Sequence, residues 1–179
     1  MLLLKGENKD KMILDIGCGN RPSGDVNCDF TIKDIGHRGT KGTSIDYKKI
    51  RNFILCDAQY LPFKDSVFNE VYSSHVIEHL KNPYLFLKEI IRISKDKITI
   101  ICPHRYGDKI VNLFHGKWSN PYHLHFLNKK WFFEQLKNYL VFYNIDYTKF
   151  IYLPFPPFSF FYLPLEMKVE IRKCVYEEN

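Results

Sequence analysis

Short apolar runs alternate with stretches of helical periodicity along the chain. MILDI (Met12 to Ile16) predicts a buried strand that ends on an acid and a glycine turn. DVNCDF (Asp25 to Phe30) predicts a second strand after only a short link. The stretch from Thr31 to Arg51 holds three glycines and several basic residues and is expected to be a long loop. FILCD (Phe53 to Asp57) and VFNEVYSS (Val67 to Ser74) carry the third and fourth strands. PYLFLKEIIRIS (Pro83 to Ser94) places apolar residues at helical spacing, with proline in the first turn where its missing N–H does no harm. KITIIC (Lys97 to Cys102) is a fifth strand stopped by Pro103, and NKKWFFEQLKNYL (Asn128 to Leu140) a helix opened by an N-cap asparagine. VFYNIDYT (Val141 to Thr148) and the alternation of Met167, Val169 and Ile171 with charged neighbours give the last two strands.

Strands alternating with helices predict an α/β fold: a Rossmann-like, doubly wound, mostly parallel seven-stranded sheet with helices on both faces and an antiparallel addition at one edge. The whole of 1–179 is expected to be one domain, with the aromatic and proline-rich stretch 150–166 inserted before the last strand. In such sheets ligands sit at the carboxyl ends of the strands. The loops after Asp15, Asp29, Asp57, Ser74 and Cys102 are therefore the ones to inspect.

Composition narrows this picture only slightly. A net charge of +6 permits phosphate, nucleic acid or anionic lipid as partners, but the lysines are scattered and solubility alone explains them. The five cysteines include no CxxC pair, which argues against a zinc ribbon or disulfide framework and for a reducing, cytoplasmic setting. No stretch reads as a membrane span.

The most informative loop is LDIGCGNRPSGD. Gly17 and Gly19 satisfy the first half of a dinucleotide fingerprint, but the third glycine position is Pro22, and RPSGD is too short for the helix on which a pyrophosphate would sit. Taken in order, LDIGCGN (Leu14 to Asn20), CDAQYLPF (Cys56 to Phe63) and VFNEVYSSHVIEHL (Val67 to Leu80) resemble the class I methyltransferases that use S-adenosylmethionine. The closest resemblance is to compact members, of the methyltransferase type 11 kind, in which the glycine loop runs almost directly into the second strand.

The resemblance implies S-adenosylmethionine as cofactor, held by Asp15, Gly17, Cys18, Gly19, Asn20, Asp29, Asp57, Ala58, Ser74 and His75. Gly17 and Gly19 clear side chains from the cofactor's methionine end. Asp15 holds the loop and accepts from the ammonium group; Asp29 accepts from the ribose hydroxyls; Asp57 and the Ala58 amide meet the adenine. Ser74 and His75 reach the amino-acid end. Asp46 is a rival for the ribose, but it lies too close to the third strand and too far from Asp15. The chain departs from the family pattern at Arg21, where a third loop glycine is common, and at KDK (Lys95 to Lys97), where a proline-glycine-glycine turn usually precedes the fifth strand.

On the acceptor side, His104 follows the fifth strand and is the candidate general base, because its ordinary pKa lies near neutrality. Arg105, His123 and His125 are candidate acceptor-binding residues, with His115 in the same connection. The HLH spacing suits a metal on a strand, but no nearby carboxylate or cysteine completes a set, so no metal is expected. His79 beside Glu78 is expected to pack or cap. The aromatic tract from Phe150 to Glu166 suits an acceptor-pocket wall or a homodimer contact. A small-molecule, sugar or lipid-linked acceptor is the favoured substrate. RNA or protein methylation, favoured only by the basic balance, and an inactive cofactor-binding scaffold are the alternatives.

Overall fold

A computed structural model describes residues 11–33, 44–107, 123–152 and 162–174. His115 and the centre of the aromatic tract, 153–161, lie outside the described residues. Seven strands form one sheet: β1 (Ile13–Ile16), β2 (Val26–Asp29), β3 (Phe53–Leu55), β4 (Phe68–Ser74), β5 (Ser94–Pro103), β6 (Val141–Tyr152) and β7 (Tyr162–Lys173). Their order is β3-β2-β1-β4-β5-β7-β6. The first five are parallel, while β7 lies antiparallel between β5 and β6, so the last pair makes the antiparallel addition at that edge. The chain leaves β1 toward β2 on one side and returns as β4 on the other. That reversal of order opens a crevice at the carboxyl ends of β1 and β4.

Helix α1 (Pro83–Ile93) begins where the Asn82 side chain accepts from the Tyr84 and Leu85 amides, with Pro83 at its first position. Phe86, Leu87, Ile90, Ile91 and Ile93 bury its apolar stripe against Leu14, Ile16, Val71, Ile98 and Ile100 of the sheet. Helix α2 (Lys129–Leu136) is capped by Asn128, whose side chain accepts from Trp131 N at 2.8 Å. It is shorter than the sequence pattern predicts. Only Phe132 and Leu136 are buried, and the chain must reverse into β6, which leaves Leu140 71% exposed.

Two further boundaries differ from expectation. KDK is strand rather than turn, because Ser94 and Lys97 already pair with Phe68 and Glu70, and Lys97 Nζ meets Glu70 at 2.8 Å across the ladder. The ends of the aromatic tract are also strand. Phe150, Ile151 and Tyr152 pair with Pro164, Leu163 and Tyr162 after a register shift at Lys149, since aromatic and β-branched residues suit a pleated ladder and the bulge accommodates the proline.

The link from β1 to β2 contains no helix, and Gly24 makes its shortness possible. A Cβ there would lie 2.5 Å from Val26 O, 2.8 Å from Asp15 N and 2.9 Å from Ile13 O, all of them backbone. Asn27 clamps the same turn, accepting from Gly24 N and donating to Gly24 O, each at 3.0 Å. Replacing Gly24 by Ala is expected to cost about 1–3 kcal/mol in urea unfolding, through forced movement of β1 against β2.

Candidate active site

The glycine loop is built from strand ends upward. Gly17 N and Cys18 N both donate to Cys28 O, at 2.8 and 3.1 Å, so the loop folds back over β2. Gly17 has φ +75°, and a Cβ there would come within 2.2 Å of a Val76 methyl. Close approach of the β1 and β4 loops therefore requires glycine. Gly19, at φ +53°, has nothing within 4 Å of where its Cβ would be and faces open space. Asp15 is buried, and its Oδ2 accepts from Ser23 N at 2.9 Å and Ser23 Oγ at 2.8 Å. Burial pushes its carboxyl above the usual range, against the lowering effect of the Ser23 bonds.

Asp29 ends β2 with Oδ2 accepting from Gly19 N at 3.1 Å and Oδ1 from Thr31 N at 3.3 Å. Asp57 follows β3, and its Oδ1 accepts from Gln59 N at 2.8 Å; Ala58 beside it is buried. The Cys18 side chain packs with Ile45 and Ile50, and Asn20 clasps the neighbouring loop through Ser44 O and Asp46 N, so both side chains brace the loop. Asp46 sits on that outer loop with its carboxylate 2.7 Å from Lys49 Nζ.

Beyond Ser74, the chain turns sharply at His75, which has φ +55°. The His75 ring is held at both nitrogens: Nδ1 lies 3.2 Å from Glu78 Oε1 and Nε2 3.1 Å from Glu166 Oε2. The hydrogen bond to Glu78 raises the imidazole pKa against the lowering effect of burial, with Glu166 adding to it. Glu166 is itself fixed by Lys149 Nζ at 2.6 Å and Thr148 Oγ1 at 2.8 Å. Burial would raise its carboxyl, but these two bonds bring it below the ordinary range.

The acceptor-side histidines separate. His104 is drawn inward, 3% exposed, between the rings of Tyr106 and Tyr147 at 5.0 and 5.3 Å. Its Nδ1 accepts from Tyr106 N at 3.3 Å, and burial depresses its pKa. His104 thus sits at the end of β5, enclosed by the two tyrosine rings. Arg105 lies beside Tyr106, with its guanidinium carbon 5.8 Å from the ring centroid. His125 Nε2 sits 2.9 Å from Leu80 O and secures the loop. His123 stacks edge-on to His79 at 4.9 Å, and one potential ligand atom from each of Glu78, His79 and His123 lies within 4.8 Å of the others. His123 of the HLH stretch thus meets Glu78 and His79, while His125 stays apart at Leu80 O.

A model of the methyltransferase domain matches residues 14–102, the span from β1 to the end of β5. The chain belongs to the class I methyltransferases that use S-adenosylmethionine. It is 38% identical over 104 residues to an uncharacterized protein of Methanocaldococcus jannaschii, covering 56% of this chain and 44% of that protein. It is 28% identical over 110 residues to ajmaline N-methyltransferase of Rauvolfia serpentina, covering 53% and 36%. The matched stretches thus span less than half of either relative. Among solved structures, an S-adenosylmethionine-dependent methyltransferase of Thermotoga maritima, described as a possible histamine N-methyltransferase, has the same fold. The TM-score is 0.65 at 14% identity, over 96% of this chain and 84% of that one.

The methyltransferase cofactor fits the residues present. Gly19 leaves open space beside the loop, Gly17 lets Val76 close against it, and Asp29 and Asp57 stand at and just past the ends of β2 and β3. Glu78, Glu166, Thr148 and Lys149 were not legible as site residues in the sequence. Glu166 comes from β7, 91 residues from His75, and only the pairing of β5 with β7 brings it to the crevice.

One pH dependence follows from His104. Its folded pKa is depressed below the ordinary 6.5, so the folded state binds fewer protons than the unfolded chain in that interval. Its contribution to stability is full above about pH 6.5 and lost as pH falls through the folded value. His75, with a raised pKa, acts in the opposite sense. Urea unfolding of the wild type and His104→Gln across this range should therefore show a shallower loss of stability at low pH in the variant.

Proposed function

We propose that this methyltransferase transfers a methyl group from S-adenosylmethionine to a small-molecule, sugar or lipid-linked acceptor. The carrying observation is the convergence of the Gly17–Gly19 loop, Asp15, Asp29 and Asp57 on successive strand ends within the matched domain. In this reading Asp29 holds the ribose hydroxyls, Asp57 and the Ala58 amide the adenine, and Asp15 the ammonium group through the loop it organises. Ser74 and the loop at His75 flank the amino-acid end.

When bound, the cofactor supplies a methyl group on a sulfonium whose thioether is a good leaving group. The protein's work is then alignment and exclusion of water. Arg105 and His123 line the acceptor side, whereas His104 and His125 position the walls. A small acceptor is supported by the namesake substrate of the ajmaline relative. A cytoplasmic setting is in keeping with a sequence whose five cysteines include no CxxC pair, and no helix among the described residues is long and apolar enough to cross a membrane. A homodimer through the exposed face of β6, where Phe142 and Phe150 are uncovered, completes the reading.

Calorimetry with S-adenosylmethionine, S-adenosylhomocysteine and NAD tests it, followed by a labelled methyl-transfer screen against small-molecule and RNA fractions. Micromolar binding of the first two with label in the small-molecule fraction is expected. Binding of NAD alone would overturn the reading, and label confined to RNA would overturn the acceptor class.

A further inference from the structure

Glu78 and His79 are neighbours in a short 3-10 turn after β4 (Ile77–His79), while His123 arrives from a segment 44 residues later in the chain. One main-chain bond and one ring contact hold that segment in place. Leu124 N donates to Glu78 O at 2.8 Å, and the His125 ring lies 2.9 Å from Leu80 O. Held by these ties, the stretch sets the His123 ring 4.9 Å from that of His79, while His125 meets Leu80 O. One candidate ligand atom from each of Glu78, His79 and His123 then falls within 4.8 Å of the other two.

Glu78 supplies a second, independent observation. It is 1% exposed, and its Oε1 faces His75 Nδ1 at 3.2 Å and His79 Nε2 at 4.0 Å. Its Oε2 is buried without any hydrogen-bond partner. A carboxylate oxygen removed from water and left without a donor costs on the order of 1–3 kcal/mol or more, so such atoms call for an explanation. A cation bound to this carboxylate beside the two imidazoles supplies one.

We propose that Glu78, His79 and His123 bind a divalent transition-metal ion of the zinc class at the acceptor edge of the crevice. Two imidazoles and one carboxylate are the donor set of three-ligand zinc sites, whereas magnesium and calcium prefer oxygen donors throughout. Three protein ligands leave a coordination position open for water or for an oxygen of the acceptor. His75, clamped between Glu78 and Glu166, orients the ligating carboxylate as an outer partner. The site belongs to the same β4 loop whose Val76 touches Gly17, which places it beside the glycine loop. Its consequence for substrate rests on the function proposed above: the acceptor presents an oxygen to the metal, and its hydroxyl proton leaves to water. Metal binding itself is independent of that function.

The test is equilibrium dialysis of the chelator-stripped full chain against zinc(II), cobalt(II) and magnesium(II), with the visible spectrum of the cobalt form. One zinc or cobalt ion per chain, a tetrahedral-type cobalt spectrum and no comparable uptake of magnesium are expected. His123→Asn and Glu78→Gln should each weaken zinc binding by at least ~10-fold. Glu78 is buried and its variant risks misfolding. His123 is only partly buried, so its variant, with folding checked by circular dichroism, carries the decision. Failure of the wild type to take up zinc or cobalt overturns the proposal, as does His123→Asn binding zinc as tightly as wild type or magnesium competing equally. Zinc binding together with no affinity for S-adenosylmethionine would uphold the metal site and overturn the methyl-transfer reading instead.

Discussion

Asp29→Ala lowers affinity for S-adenosylmethionine by at least ~100-fold, while Asp46→Ala stays within about twofold of wild type. The expectation comes from position and from what each carboxylate holds. Asp29 is 9% exposed at the end of β2, and its two oxygens point to the loop face, one toward Gly19 N and one toward Thr31 N. Hydrogen bonds to a charged acceptor are each worth about 1.5–3 kcal/mol, and each 1.4 kcal/mol is a factor of ten in affinity. On the proposed assignment, losing two ribose bonds and the brace on Gly19 together exceeds ~100-fold. Asp46 is paired to Lys49 on the surface and contributes little to the crevice. Calorimetry on the two variants decides the matter, because a wild-type isotherm from Asp29→Ala would remove the ribose assignment. Asp29→Asn should fall between, keeping the shape while losing the charge.

The largest stability effect is expected at Arg92, a residue with no part in the chemistry. Its guanidinium reaches from α1 into the loop after β3, donating to Leu61 O at 3.1 Å and Phe63 O at 2.7 Å. It also grips both oxygens of Glu89, at 2.9 and 2.8 Å. Glu89 in turn accepts from Leu61 N at 2.8 Å. The Asp65 contact, at 2.7 Å, adds little because that carboxylate is 76% exposed. Arg92→Met leaves two carbonyls without their donor and a largely buried carboxylate with the Leu61 amide but no counter-charge. With Arg92 itself 27% exposed, the loss is about 2–3 kcal/mol, below the 3–5 kcal/mol of a fully buried pair. The same loop carries Asp57 and Ala58, so cofactor affinity should weaken along with stability.

Acid unfolding separates this network from general loosening. Hydrogen bonding to Arg92 is the main cause holding the Glu89 carboxyl below its ordinary 4.5. The stability it contributes is full above about pH 4.5 and lost as pH falls through the folded value. In Arg92→Met that acid limb should flatten. An unfolding curve as steep in acid as that of wild type would show that Glu89 is held by something else.

The parts of this protein legible in its sequence are those set by near neighbours in the chain. Apolar runs placed β1 to β4, Asn82 and Pro83 marked the start of α1, and Gly17, Asp29 and Asp57 declared themselves by lying just past strand ends. Local pattern failed where a ladder partner decides the outcome. Lys95 to Lys97 became strand because β4 was there to pair with, and Phe150 to Tyr152 because β7 ran alongside.

What sequence by itself determined is the order of strands and the glycine and aspartate positions at their carboxyl ends, because strand period and backbone freedom at glycine are local properties. Tertiary structure alone decided which distant charges meet. Glu166 reaches His75 only because β7 docks on β5; Arg92 reaches Leu61 only because α1 packs beside the β3 loop; and His123 reaches Glu78 and His79 only because a main-chain bond from Leu124 holds it there. Each of these contacts joins residues far apart in the chain. Their sequence separation carries no periodic signal, and their geometry exists only after the core has closed.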